Sequence, residues 1–199
     1  MVLSLSKANI AIFISGRGSN MVSLIEAMQA NEVDAIPVVV ISDQSDAKGI
    51  TRAQTLGVPC EIVSQNNFSN KELFERHIIT LLRRYHVDWI ALAGYMVIVG
   101  QELLAAYPDR IINIHPSLLP TFKGLNAQQQ ALDYGVKYSG CTVHYVTANV
   151  DGGKIINQCV VEVKPNDTVD SLSARILIKE HELYPRALQK VILKTKGEK

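Results

Sequence analysis

An amide, an imidazole and a carboxylate are available to one reaction centre in this chain. Asn113 and His115 lie in the run Ile111-Ile-Asn-Ile-His115-Pro-Ser-Leu-Leu-Pro120, and Asp151 lies in Asn149-Val-Asp-Gly-Gly153. An amide N–H can donate to an oxyanion as it develops, and an imidazole can donate or carry a proton, two roles that acyl transfer needs together. A carboxylate beside the imidazole favours its charged form and holds its orientation. The plainer alternative leaves Asn113 and His115 satisfying backbone groups at a strand end, with Asp151 an ordinary turn residue. Two polar groups on one face just before a proline favour the site.

The elements around them follow from hydrophobic period. Residues 111–115 read as a buried strand, and because strand side chains alternate, Asn113 and His115 point one way while Ile112 and Ile114 point the other. Pro116 ends the strand at the edge where open α/β sheets place their ligands. Apolar, β-branched runs at 10–15, 36–42, 60–63 and 89–93 alternate with helical patterns near 20–30, 47–56, 70–85 and 100–106. This rhythm predicts an α/β fold, an open, mostly parallel Rossmann-like sheet with right-handed crossovers. Residues 140–146 and 154–163 then read as an antiparallel pair joined by the polar segment 147–153, whose two glycines let the tip bend tightly. Residues 168–193 read as a long closing helix capped by Asp167 or Thr168, with the Lys-rich tail 194–199 frayed.

The bulk numbers exclude several classes of function. At 199 residues, 47% hydrophobic and 20% charged, the chain suits one domain with its ordered core at about 8–193. Twenty Lys and Arg against 19 Asp and Glu give a formal charge of +1, so nucleic acid and anionic membranes are not expected partners. Cys60, Cys141 and Cys159 form no C-x-x-C pair, which argues for a reducing compartment, the cytoplasm. The first seven residues show no leader pattern, and no metal-binding spacing or G-x-S-x-G elbow is present.

Ser15-Gly-Arg-Gly-Ser-Asn20 follows the first strand and opens the first helix, an anion cradle suited to phosphate. A dinucleotide fingerprint would want glycine where Met21 stands, although Asp43 ends the second strand where a ribose-binding acid would sit, so an NAD(P)-dependent oxidoreductase is an alternative. Residues 94–99, Gly-Tyr-Met-Val-Ile-Val, suit either a flat apolar pocket for a ring system or ordinary core. His144, Glu180 and His181 each read, taken singly, as structural or exposed. A nucleotide-binding regulatory domain without chemistry is a further, non-enzymatic alternative.

Taken together, Ile14-Ser-Gly-Arg-Gly-Ser-Asn20, Leu92-Ala-Gly-Tyr-Met96, Asn113-Ile-His-Pro-Ser-Leu-Leu-Pro120, Val143-His-Tyr-Val-Thr147, Val150-Asp-Gly-Gly153 and Glu180-His-Glu-Leu-Tyr-Pro185 resemble the folate-dependent glycinamide ribonucleotide formyltransferase family over residues 9–188. Asn-x-His-Pro-Ser-Leu-Leu-Pro alone marks the wider group that includes methionyl-tRNA formyltransferase and formyltetrahydrofolate hydrolase. The resemblance implies formyl transfer from 10-formyltetrahydrofolate to the amine of glycinamide ribonucleotide in purine synthesis, without a metal, by a monomer or homodimer. It implies that Asn113, His115 and Asp151 are catalytic, that Gly18, Ser19 and Asn20 hold the phosphate, and that Glu180 holds the ribose. Met96, Val97, Ile98 and Val99, with Asn113, Asn149 and Asp151, are implied to hold the folate. The chain departs from the family at Arg17, where a small polar residue is common, at Val97, where some members carry an Arg that contacts the folate tail, and at Leu177, where relatives have a polar or basic residue near the phosphate. Lys71 is then a candidate for the folate glutamate carboxylates.

Overall fold

Seven strands, β1 (Ala8–Ile14), β2 (Ala35–Ser42), β3 (Cys60–Ile62), β4 (Trp89–Leu92), β5 (Ile111–His115), β6 (Tyr138–Tyr145) and β7 (Ile155–Glu162), form one sheet in the order β3-β2-β1-β4-β5-β6-β7. This is a computed structural model, and it describes residues 7–197. The first five strands are mutually parallel, whereas β5–β6 and β6–β7 are antiparallel. The helices are α1 (Ser19–Gln29), α2 (Lys48–Thr55), α3 (Lys71–Arg84), α4 (Gln101–Ala106), α5 (Ala127–Tyr134) and α6 (Val169–Gly197). The expected mostly parallel sheet, antiparallel end and closing helix are all present.

Strand alternation sorts the core into two layers. Ile10, Ile12, Ile14, Ile112 and Ile114 face α1 and α6, where they meet Leu24, Ile25, Leu188 and Val191. Ala11, Phe13, Ile90, Leu92 and Ile111 face α3, packing on Phe74, Ile78 and Leu82. Side chains buried as fully as Phe13 and Leu82 contribute about 1.5–3 kcal/mol each. By parity Asn113 and His115 share the face of Ile111, opposite Ile112 and Ile114. Tyr184 of α6 reaches the sheet backbone, its hydroxyl 2.9 Å from the Leu92 carbonyl and 3.1 Å from that of Ile112, which ties α6 to the two strands whose ends carry the site.

The chain steps outward from β1 to β3 and returns to pair β4 with β1, so strand order reverses between β1 and β4. Such a reversal leaves a crevice at the carboxyl edge, because the loops leaving the two strands run to opposite faces. The glycine turn after β1 and residues 94–99 after β4 border it.

Two features differ from the sequence expectation. Helix α5 was not anticipated: it is short, buries only Ala127 and Ala131, and is bounded by left-handed Asn126 and Gly135 in place of a Ser, Thr or Asp cap. The tail expected to fray is helical to Gly197, held by the Lys196–Asp34 ion pair and by Thr195 Oγ1 donating to the Val191 carbonyl at 2.9 Å. Residues 198–199 of that tail, and residues 1–6 read as lacking a leader, lie outside the described residues. Of the two expected cap residues, Thr168 caps α6 reciprocally with Ser171, whereas Asp167 instead pairs with Arg175. Among the described residues no helix is long and apolar enough to cross a membrane.

Candidate active site

The turn after β1 is shaped by Gly18. It sits at the N-cap of α1 with φ of 70°, and a Cβ there would lie 2.9 Å from the Gly49 Cα, so only glycine fits both the backbone and the packing. The positive end of α1 therefore faces the crevice without a side-chain cap. Ser15 joins this turn to the loop after β4: its Oγ accepts from the Met96 amide at 2.8 Å and donates to Asp43, and its own amide donates to the Gly94 carbonyl at 3.1 Å. Asp43 also accepts from Gln44 Nε2 at 2.6 Å. Both carboxylate oxygens thus have partners within the protein, and Asp43 is 6% exposed and absent from the cavity lining, which speaks against the ribose-binding role that the oxidoreductase alternative requires.

A cavity of about 1090 Å³ occupies the crevice. It is lined by Arg17 and Asn20 from the turn, by Met96, Val97, Ile98 and Val99, by Asn113 and His115, by Asn149 and Asp151, and by Leu177 and Glu180 of α6. The sequence-derived residues thus converge, with two exceptions: Gly18 and Ser19 are not on the lining, although their neighbours Arg17 and Asn20 are. Lys71 is also absent from the lining and lies against Gly100 at the start of α4.

At the centre, the Asp151 carboxylate faces two imidazoles. His115 Nδ1 is 3.4 Å from Asp151 Oδ2, and His144 Nε2 is 3.5 Å from Oδ1. The Gly124 amide donates to Oδ2 at 2.8 Å. Burial works against the charge on Asp151, but the His144 ring nitrogen, the Gly124 amide and the nearby positive charge of both rings outweigh it and hold the carboxyl below its ordinary range. His144 Nδ1 donates to the Tyr145 carbonyl at 2.8 Å, which leaves Nε2 between Asp151 and the Asn113 amide, Nδ2 being 3.2 Å away. A neutral ring accepts from the amide; a charged one donates to the carboxylate. One Asn113 N–H remains for the cavity in either case.

His144 is the member of this cluster that the sequence, read one residue at a time, left as structural or exposed. It is 2% exposed and lies opposite Asn113 across the β5–β6 ladder. Alternation would have put it on the right face, but only the strand register places it beside Asn113. The hairpin that delivers Asp151 needs Gly153, where a Cβ would lie 1.7 Å from the Tyr145 carbonyl oxygen.

Glu180 and Asn20 meet on the opposite wall, the Asn20 Nδ2 donating to Glu180 Oε2 at 2.7 Å. The Asn20 Oδ1 is buried without a partner. Glu180 is 6% exposed, and burial, only partly offset by Asn20, pushes its pKa above the ordinary value. An acid raised in this way stabilises the fold only when neutral, so its contribution is present below pH 4.5 and is lost as pH rises through the folded-state value. Glu180→Gln keeps an acceptor for Asn20 and removes the buried charge. At neutral pH it should raise stability by about 1 kcal/mol, or about 2–4 °C in Tm. Thermal melts across pH check this: the gain fades below pH 4.5, and a variant that melts lower at neutral pH contradicts the buried-charge reading.

The reversed sheet, its antiparallel end and the polar cluster on its edge define an α/β protein of the formyltransferase fold. The chain belongs to the formyl transferase family, whose model matches residues 8–188. It is 42% identical over 190 residues to phosphoribosylglycinamide formyltransferase of Bacillus subtilis, covering 95% of this chain and 97% of that protein. It is 41% identical over 185 residues to the trifunctional purine biosynthetic protein adenosine-3 of Bos taurus, covering 93% of this chain but only 18% of that longer relative. The crystal structure of glycinamide ribonucleotide transformylase 1 from Symbiobacterium toebii is similar with a TM-score of 0.93 and 43% identity, covering 95% of this chain and 89% of that one. The phosphoribosylglycinamide formyltransferase of Brucella melitensis gives 0.89 and 46%, covering 93% and 95%.

Proposed function

We propose that the chain transfers the formyl group of 10-formyltetrahydrofolate to the amine of glycinamide ribonucleotide, a step of de novo purine biosynthesis, with Asn113, His115 and Asp151 as catalytic residues. The observation that carries this reading is the 3.4 Å approach of His115 to Asp151 beside an amide with an uncommitted N–H, in a cavity that also reaches the glycine turn. The substrate amine attacks the formyl carbon, a C–N bond forms, and the carbonyl oxygen becomes an oxyanion. Asn113 donates to it, and the positive charge of protonated His115 stabilises it. Asp151 holds the imidazolium and passes the proton lost by the amine, through water, toward the folate nitrogen as its bond to carbon breaks. No covalent enzyme intermediate is needed.

Around this centre, the Gly18 and Ser19 backbone at the start of α1, with Asn20, holds the phosphate, Glu180 the ribose hydroxyls, and Met96, Val97, Ile98, Val99 and Asn149 the pterin. Arg17, on the cavity lining, adds a cation near the phosphate that offsets the apolar Leu177. Ser15 supports the folate wall through the Met96 amide, so Ser15→Ala should raise KM for the folate roughly five- to tenfold, the cost of about 1–1.4 kcal/mol of hydrogen bonding, with kcat changed far less. Steady-state kinetics in both substrates read this out, and an unchanged folate KM removes Ser15 from the pocket.

The reading is tested by mixing pure protein with 10-formyltetrahydrofolate and following tetrahydrofolate release with and without glycinamide ribonucleotide. Release that depends on the amine is expected. Equal release without it would mean a hydrolase.

A further inference from the structure

Both members of the His115–Asp151 pair are held by one loop, residues 118–126. The Phe122 carbonyl is 2.8 Å from His115 Nε2, and the Gly124 amide is 2.8 Å from Asp151 Oδ2. Phe122 has φ of 52°, a left-handed conformation that costs a bulky residue on the order of 1–3 kcal/mol and persists only where its surroundings impose it. Those surroundings are visible. The Phe122 ring packs edge-on against Tyr134 of α5 with centroids 5.9 Å apart, and Ser117 Oγ ties the preceding turn by donating to the Thr121 carbonyl at 2.6 Å.

A carbonyl oxygen can only accept, so the 2.8 Å contact with Phe122, shorter than the 3.4 Å contact at Nδ1, favours the neutral tautomer that keeps its hydrogen on His115 Nε2. The neutral ring then turns an Nδ1 lone pair toward the Asp151 carboxylate, acceptor against acceptor. A proton on Nδ1 converts the same 3.4 Å contact into a charge-assisted hydrogen bond. In the tautomer that keeps the Phe122 contact, the nitrogen left free to take a hydrogen is Nδ1, beside Asp151.

We infer that Phe122 is a positioning residue for formyl transfer: its carbonyl fixes His115 in the Nε2–H tautomer, and its ring, seated on Tyr134, keeps that carbonyl in place. The consequence for turnover rests on His115 being catalytic, as proposed above; the consequence for the tautomer does not. Helix α5, whose first turn borders the cavity at Ala127 and Gln128, thereby also acts on the reaction centre from its far end, through one aromatic contact.

The experiment combines kinetics with nitrogen NMR of the full chain carrying 15N-labelled histidine, the His115 signals being assigned by their absence from His115→Ala. In wild type and in Phe122→Tyr, the neutral ring shows hydrogen on Nε2 alone. In Phe122→Ala the ring shows a mixture of both tautomers, kcat falls about tenfold as the imidazole loses its fixed orientation, and both KM values stay within about twofold. Tyr134→Ala, a change at a residue 80% exposed and hence safe for folding, moves both readouts the same way. A pure Nε2–H ring in Phe122→Ala and Tyr134→Ala overturns the inference, as does mixed tautomers with unchanged kcat. Loss of transfer activity in wild type would instead remove the proposed function and leave the tautomer result to decide the role of Phe122.

Discussion

His115→Ala should lower turnover by roughly a hundred- to ten-thousandfold, the range expected for loss of a positioned acid or charge at a reaction centre. Stability should change far less. The ring's polar contacts are to the Phe122 carbonyl and the Asp151 carboxylate, and losing one such hydrogen bond costs about 1 kcal/mol. The variant separates two roles for the ring. A structural histidine would show its loss in the melting temperature, and a catalytic one in kcat at nearly constant Tm. Asp151 then has no imidazolium to hold, so adding Asp151→Asn to His115→Ala should cost much less than the product of the two single effects, because residues that act as a unit are not additive. Kinetics of the two single variants and the double variant settle this: independent, multiplicative losses would dissolve the pair.

Asn113→Ala is the second large effect, roughly a hundred- to a thousandfold in kcat, as for removal of one oxyanion donor. Asn113→Asp sharpens the test. It keeps the shape and still reaches His144, but its carboxylate offers no N–H to the cavity and sets a second negative charge on the wall where the oxyanion forms. It should therefore be at least as slow as the Ala variant. Recovery of rate in Asn113→Asp would show that Asn113 matters for filling space and not for donating.

How much of this was legible beforehand depends on the kind of residue. Asn113 and His115 could be placed on one face from alternation alone, because a buried strand before a proline admits no other arrangement, and Asp151 was marked by its glycines. The glycine turn was legible as well, since Gly18 answers a conformational need that other residues meet poorly. His144 was not, because its place beside Asn113 follows from pairing between strands separated by α5, and register is a long-range property. Asp43 showed the converse: its position suited a ribose ligand, but its partners Ser15 and Gln44 become visible only in three dimensions. The Phe122 carbonyl and Gly124 amide are backbone atoms, and no residue type announces them. Helix α5 escaped notice because it is only 8 residues long, rich in glutamine, and buries only two small side chains, too short a run for a period to stand out.

The most direct measurement is a crystal structure of the chain with glycinamide ribonucleotide and a folate analogue whose carbonyl cannot be transferred. The carbonyl oxygen should lie about 3 Å from Asn113 Nδ2, with the His115 ring alongside and the substrate amine facing the carbonyl carbon. A folate carbonyl bound elsewhere in the cavity, out of reach of Asn113 and His115, would contradict the mechanism.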